Sequence, residues 1–273
     1  MLENSLRRFL AEDLGRGDVT SEALLPRGLD AEARIISRSQ GIIAGMEAAG
    51  LVFKMLDPAS KWLALVEDGG RVAPGQDLAL VKGEARALLA GERVALNLLQ
   101  RLAGIATATA QAVQAAAGLM VVDTRKTTPG LRMLEKEAVR AGGGRNHRLG
   151  LDDAVLIKDN HLELCGGMAK AIALARQRVG PLVKIEVEAE TLEQVAQALE
   201  AGADVIMLDN MDLDQISQAV ALVEGRSLLE ASGNLTPADL PALARSGINF
   251  VSLGWLTHSA PPLDMSMRMR MVS

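Results

Sequence analysis

Apolar and polar positions change period along the chain, and the change marks two regions. In the first, a short amphipathic helix leads into the polar, glycine-rich run DLGRGDVT at 13–20. Short apolar runs follow at 33–36, 42–44, 62–66 and 78–81. Gly69-Gly70 and Pro74-Gly75 punctuate them, which predicts turns in a small mixed sheet. From Glu84 to about Ala117 the period lengthens to that of a helix, with Val94, Leu98, Leu99 and Leu102 at helix spacing.

The second region alternates strand-like and helix-like segments. Apolar runs stand at 119–123, 154–159, 183–188, 204–209, 227–232 and 249–254, with helical stretches such as LEQVAQALEAGA between them. The last four begin roughly 22 residues apart, the length of a strand, a loop and a helix, which predicts parallel strands. Both a barrel and a doubly wound sheet meet that pattern. The run ends favour the barrel: each finishes in polar residues, and chemistry at every strand's C-terminal end is a barrel property. Six strands rather than eight predict an incomplete, open βα barrel. The final run, LDMSMRMRM at 263–271, alternates with period two and reads as a strand returning to the first domain. The expected division is therefore 1–117 plus the 263–273 strand, and 118–262.

Composition narrows the classes. The net charge of −5 argues against a general nucleic-acid or membrane-surface binder, so any basic site must be local. The stretch 102–122 is uncharged but rich in Ala, Thr, Gln and Gly, and reads as a helix packed inside a soluble protein rather than a membrane span. A single cysteine, Cys165, and an N-terminus without a signal-like apolar run predict a cytoplasmic protein.

The local basic site lies in the acidic chain between Thr124 and Leu151, where seven Arg and Lys face two Glu. Glu135, Lys136, Glu137 and Arg140 fit a solvated helix face. Arg125, Lys126 and Arg148 fall at strand ends or loops, and together they describe a strongly anionic ligand. Glu188 and Asp209 end neighbouring strands; in KIEVE, Glu186 and Glu188 share the face that a barrel turns inward. Such carboxylates suit magnesium bridged by substrate phosphates, or a developing sugar cation; ion pairs with Lys184 or Lys158 are the plainer reading. Ser232-Gly233-Asn234 and Ser252-Leu253-Gly254 follow the last two strands, where barrels commonly seat a phosphate on backbone N–H groups. The three histidines lack zinc spacing, and AGGGRNHRLG at 141–150 is not a nucleotide P-loop.

The segments DTRKTTPGLRMLEK, AGGGRNHRLGLDDAVLIKDNH, EASGNLT and VSLGWLTHSAPPLDMSMR closely resemble the quinolinate phosphoribosyltransferases. EDLGRGDVTSEALLP and GERVALNLLQRLAGIAT extend the resemblance over nearly the whole chain. It implies an N-terminal α/β sandwich ahead of the open barrel. It also implies a magnesium-dependent transfer from phosphoribosyl pyrophosphate to quinolinate, giving nicotinate mononucleotide, pyrophosphate and carbon dioxide. Matched residue by residue, Arg125, His147 and Arg148 fall on positions that grip the quinolinate carboxylates, with Thr124 beside them. Arg93 matches an arginine that reaches a neighbouring subunit's site, which implies at least a homodimer. Lys126 and Lys158 match residues near the phosphoribosyl pyrophosphate, Glu188 and Asp209 its metal and ribose carboxylates, and the SGN and SLG segments its 5′-phosphate cradle. Glu137, where relatives often carry an aromatic, and Asn234, in place of a glycine, are the departures. A molybdenum-associated relative of the same fold, a phosphate-sensing barrel and a Schiff-base lyase using Lys158 are the other readings; the full TRKTTPG and KDNH segments favour the transferase.

Overall fold

The computed structural model describes residues 2–272. The chain begins with α1 (Leu2–Leu14), α2 (Val19–Leu24), β1 (Asp30–Ser37), β2 (Gly41–Ile42), α3 (Met46–Leu56), β3 (Lys61–Ala64), β4 (Arg71–Val72) and β5 (Asp77–Glu84). The long α4 (Ala85–Ala115) follows, then β6 (Met120–Val122), α5 (Arg132–Ala141), β7 (Val155–Ile157), α6 (Asp159–Cys165) and α7 (Met168–Arg178). It continues through β8 (Ile185–Ala189), α8 (Leu192–Glu200), β9 (Val205–Asp209), α9 (Leu213–Val223) and β10 (Leu228–Ser232). It closes with α10 (Leu240–Leu243), β11 (Phe250–Ser252), α11 (Trp255–His258) and β12 (Met265–Met271).

Two compact units result. The first comprises Met1–Ala108, Thr128–Gly143 and Ser259–Ser273. Its sheet has the order β12-β1-β5-β3 and is antiparallel throughout, so the period-two C-terminal run pairs with β1, Met267 opposite Ile35. Ala33, Ile35, Leu78 and Val81 are fully buried in it, and α3 packs Phe53 against Trp62 with ring centroids 5.9 Å apart. Gly50 lets that packing close, since a Cβ there would come 2.9 Å from the indole. The glycine-rich run at 13–20 is a helix start: the Asp18 carboxylate accepts the N–H groups of Thr20 and Ser21 at 3.1 Å and caps α2.

Three expectations need correction here. The apolar run at 42–44 contributes only Ile42 to a strand, which with Gly41 pairs β4 in a separate ribbon before Gly45, at φ 95°, turns the chain into α3. Helix α5, assigned above to the barrel, groups with the first unit, because Glu135 accepts from Arg101 Nε at 2.7 Å and from the Thr128 N–H at 3.1 Å. For the same reason its charged face is not wholly solvated: Glu135 and Lys136 are buried, while Glu137 and Arg140 remain exposed.

The second unit, Thr109–Thr127 and Gly144–His258, carries six parallel strands in the order β6-β11-β10-β9-β8-β7. Consecutive strands are neighbours from β7 to β11, and β6 joins beyond β11. That is the order of a singly wound barrel cut open between β6 and β7, with no switch point inside it. On the outer face of β8, Ile185, Val187 and Ala189 are fully buried, leaving Glu186 and Glu188 on the opposite face. At the open edge of β6 the segment after the three glycines bridges Val122 through Arg145, whose N–H donates to Val121 O at 2.9 Å. The uncharged stretch at 102–122 divides between the end of α4 and β6, and no helix among the described residues is long and apolar enough to cross a membrane.

Candidate active site

The C-terminal ends of the six strands surround a cavity of about 570 Å³ in the second unit. Register explains who meets there. Asp209 and Ser232 are Cα partners, Glu188 stands opposite Met207, and Ser252 stands opposite Val122, one residue before the turn that carries Thr124 to Lys126. Parallel pairing thus delivers one polar strand end after another to the same rim.

One wall is basic. Arg125 and Lys126 follow β6, and His147 and Arg148 come from the loop that edges it. Asp123, fully buried, pins that loop by accepting from Asn146 Nδ2 at 2.7 Å and the His147 N–H at 2.8 Å. Thr124 Oγ1 accepts the Lys126 N–H at 3.0 Å and shapes the turn. Arg148 is held by donating Nη1 to Ala154 O at 3.0 Å. The Nε atoms of Arg125 and Arg148 are buried without a hydrogen-bond partner among the described residues. Buried, charged donors left unmet in this way call for an anion.

The opposite wall is acidic. Glu188 and Asp209 line the cavity with Lys158, whose Nζ forms an ion pair with Glu188 Oε1. The plainer reading of Glu188 is therefore partly right: it is paired, and it also faces the cavity. Lys184 is engaged elsewhere, with Asp204 at 3.3 Å. As oxygen donors, Glu188 and Asp209 fit a hard cation such as magnesium, but two carboxylates fill only part of its shell. A clustered group of metal-type side chains among the described residues, His147, Glu186 and Glu230, does not include either of them.

The two glycine segments differ from expectation in detail. Ser252 Oγ donates to Ser232 Oγ at 3.0 Å, so the hydroxyls of neighbouring strands meet at the rim. Gly233, at φ 124°, turns the chain there, and Asn234 also lines the cavity. The Asn234 N–H, however, is spent on Asn210 Oδ1 at 3.1 Å. Leu253 is a correction: its side chain is buried and its N–H donates to Val122 O at 3.0 Å, so it fastens β11 to β6 instead of facing the cavity. Gly254 sits close against the Lys126 side chain and is likewise not on the lining.

Beneath the basic wall lies a feature that the sequence did not single out. His147 Nε2 is 3.2 Å from Glu186 Oε2 and 3.2 Å from Glu230 Oε2. Glu186 is 5% and Glu230 0% exposed. Burial opposes the charge on His147, but hydrogen bonds to the two carboxylates raise its pKa to about 10. Burial and the neighbouring Glu186 push Glu230 up to about 8, against the pull of His147. Glu186 is desolvated too, yet His147, Glu230 and Arg148 together hold it below the usual carboxylate range.

Of the remaining candidates, Arg93 belongs to the first unit. It is exposed on α4 and lines a groove with Phe9, Glu12 and Arg101. Residues that line the cavity without having been singled out include Leu156, Asp159, Glu190, Asn210 and Glu230. Spacing offered a signal for Glu230, which stands two residues before Ser232 on the same strand face.

Comparison with known proteins agrees with this geometry. Residues 18–103 match the N-terminal domain model of quinolinate phosphoribosyl transferase, and residues 105–268 match its C-terminal domain model. The chain is 48% identical over 268 residues, 97% of its length and 92% of the relative's, to the probable nicotinate-nucleotide pyrophosphorylase (carboxylating) of Bacillus subtilis (strain 168). It is 40% identical over 286 residues to the chloroplastic nicotinate-nucleotide pyrophosphorylase (carboxylating) of Arabidopsis thaliana, covering 98% of this chain and 82% of the relative. Among solved structures it superposes on NadC from Streptococcus pyogenes with a TM-score of 0.96 at 41% identity, covering 100% of this chain and 97% of that one. With both domain models matched in order and an open six-stranded parallel sheet in place, the chain belongs to the quinolinate phosphoribosyl transferase family.

Proposed function

We propose that the chain transfers the phosphoribosyl group of phosphoribosyl pyrophosphate to quinolinate with loss of carbon dioxide, forming nicotinate mononucleotide and pyrophosphate for NAD biosynthesis. The observation that carries this reading is the division of one cavity into a basic wall with unmet buried arginine donors and an acidic wall at Glu188 and Asp209. A flat dicarboxylate suits the first wall, through Arg125, Arg148 and the cationic His147 ring. A ribose that becomes positive as pyrophosphate departs suits the second.

The reaction then follows from charge. Glu188 and Asp209 stabilise the developing cation at the ribose carbon, while Lys126 and Lys158 face the leaving pyrophosphate. The pyridine nitrogen, held by its flanking carboxylate, adds to that carbon. The new pyridinium charge stabilises the electron pair left on the adjacent ring carbon when carbon dioxide leaves, and a proton replaces it. No covalent bond to the enzyme is needed. Positioning and preorganised charge supply the catalysis. The hydroxyls of Ser232 and Ser252, with the Gly233 turn, are the support for the 5′-phosphate.

Magnesium would be held by Glu188 and Asp209 together with phosphate oxygens of the substrate, where it supplies neutralisation of the leaving group. We also place Arg93 in the quinolinate site of a second copy, so that the working form is at least a homodimer. Its support is that the arginine is exposed on α4. The lone cysteine supports a reducing, cytoplasmic setting. The direct test is release of carbon dioxide from carboxyl-labelled quinolinate with phosphoribosyl pyrophosphate and magnesium. Binding of another aromatic acid without turnover of quinolinate would overturn the reading.

A further inference from the structure

Two buried carboxylates that share one ring nitrogen cannot both be satisfied by a neutral acceptor. Nε2 of His147 lies 3.2 Å from an oxygen of each, so it must carry a hydrogen and donate to them. The second oxygens, Glu186 Oε1 and Glu230 Oε1, are buried without hydrogen-bond partners among the described residues. Two uncompensated negative charges at that depth would be very costly. The arrangement is relieved when the ring is an imidazolium and one carboxyl keeps its proton.

Every other side of the ring fits this. The His147 backbone is fixed by Asp123 at the end of β6, and the ring lies against Phe250 of β11 with centroids 6.4 Å apart. The other charged groups of the cavity around it are Arg125, Lys126 and Arg148 on the basic wall, and Glu188 with its partner Lys158, Asp209, Asp159 and Glu190 on the rest of the lining. The cations disfavour a further positive charge, so the pair beneath the ring is what maintains it.

We propose that Glu230, together with Glu186, is a positioning residue for this phosphoribosyl transfer: the pair fixes the His147 ring and keeps it positively charged for the substrate dicarboxylate. The proposal rests on the reaction proposed above. One proton is shared between the two carboxyls, and the pair keeps a single negative charge beneath the ring. The dicarboxylate therefore meets three cations, Arg125, Arg148 and His147, instead of two. Because Glu230 gives up its proton at about 8, alkaline solution adds a negative charge under the ring and weakens that grip.

The test uses the full chain with ring-labelled histidine, the variant H147Q assigning the His147 signals. Wild-type His147 is expected to remain an imidazolium at about pH 8, where an ordinary histidine is neutral. In E230A the ring titrates at least about one pH unit lower, and the quinolinate KM rises about tenfold while the phosphoribosyl pyrophosphate KM changes less than about twofold. E230Q, which mimics the protonated carboxyl in shape and hydrogen bonding, recovers most of that loss near neutral pH. Toward pH 9 the quinolinate KM climbs in the wild type and stays flatter in E230Q. A neutral wild-type ring at pH 7, equal rises in both KM values, or superimposable pH profiles for wild type and E230Q would each overturn the proposal. Should E230A not fold, the wild-type ring signals and the E230Q profile decide alone. Absence of any turnover by the wild type would sink the proposed reaction instead, leaving the ring signals to judge the clamp.

Discussion

The side chain of Asn210 accepts the backbone N–H of Asn234 at 3.1 Å, while the Asn210 N–H donates to Ser232 O at 3.0 Å. Asn210 adopts φ 54°, a conformation asparagine tolerates better than most residues, and from there it straps both sides of the turn at Gly233. Asn210→Ala removes the side-chain strap and should raise the KM for phosphoribosyl pyrophosphate about fivefold, from roughly 1 kcal/mol of lost hydrogen bonding. Gly233→Ala sets a Cβ against Asn210 Oδ1 at a φ of 124° and should cost more. Initial-rate kinetics with each substrate varied in turn check both, and a change confined to quinolinate would contradict the assignment of this turn.

Arg148→Ala should act on the other substrate. It removes a guanidinium whose Nε is buried and unmet, and should weaken quinolinate binding by about 2–3 kcal/mol with little effect on phosphoribosyl pyrophosphate. Calorimetric titration of each ligand separates the two; equal losses would mean that the loop is not a carboxylate site.

Glu188→Gln tests the acidic wall. If that carboxylate acts on the charge that develops during pyrophosphate departure, kcat should fall about a hundredfold while the quinolinate KM stays nearly constant. A purely structural ion pair with Lys158 would instead lower thermal stability and leave kcat close to the wild-type value.

Stability should depend on pH through Glu230. Below about 4.5 the carboxyl is protonated folded or unfolded; between about 4.5 and about 8 only the folded state keeps the proton. Unfolding then releases a proton, so rising pH destabilises the fold across that window. Relative to E230Q, the wild type should lose stability over that range, on the order of 5 kcal/mol, and run parallel to it above. Urea unfolding of both proteins at a series of pH values measures this, and a constant difference would contradict it.

Arg93 offers a complementation test for the proposed homodimer. Arg93→Ala and Arg148→Ala subunits should each be poorly active alone. Mixed after mild dissociation, they should regain up to about a quarter of wild-type activity, because about half of all pairs become mixed and each mixed pair carries one intact site of its two. No recovery on mixing would place Arg93 outside the neighbour's site.

The parallel strands could be read from the chain because each apolar run ends in polar residues, and those ends do form one rim. Arg125, Lys126, Glu188 and Asp209 are visible as charges at strand ends, and Arg148 as one in a loop. Glu230 was hidden because a single glutamate in SLLEAS looks like any polar strand residue until its depth under His147 is known. Glu135 and Lys136 were hidden for a similar reason: on a short charged helix, nothing local marks Glu135 as the partner of Arg101, 34 positions earlier in the chain. The Asn234 N–H was misassigned because the side chain that takes it, Asn210, comes from a different strand end.

The bridge between Val122 and Arg145 has a consequence for solubility. A parallel sheet that stops short of closure leaves a strand edge with unpaired amides, the kind of edge to which other chains add in aggregation. Here the segment that leads to His147 and Arg148 lies along the edge of β6 and takes its hydrogen bonds. The basic wall of the cavity and the cover on this strand edge thus come from the same short segment. Substitutions in this segment therefore act on the exposed edge of the sheet as well as on the cavity.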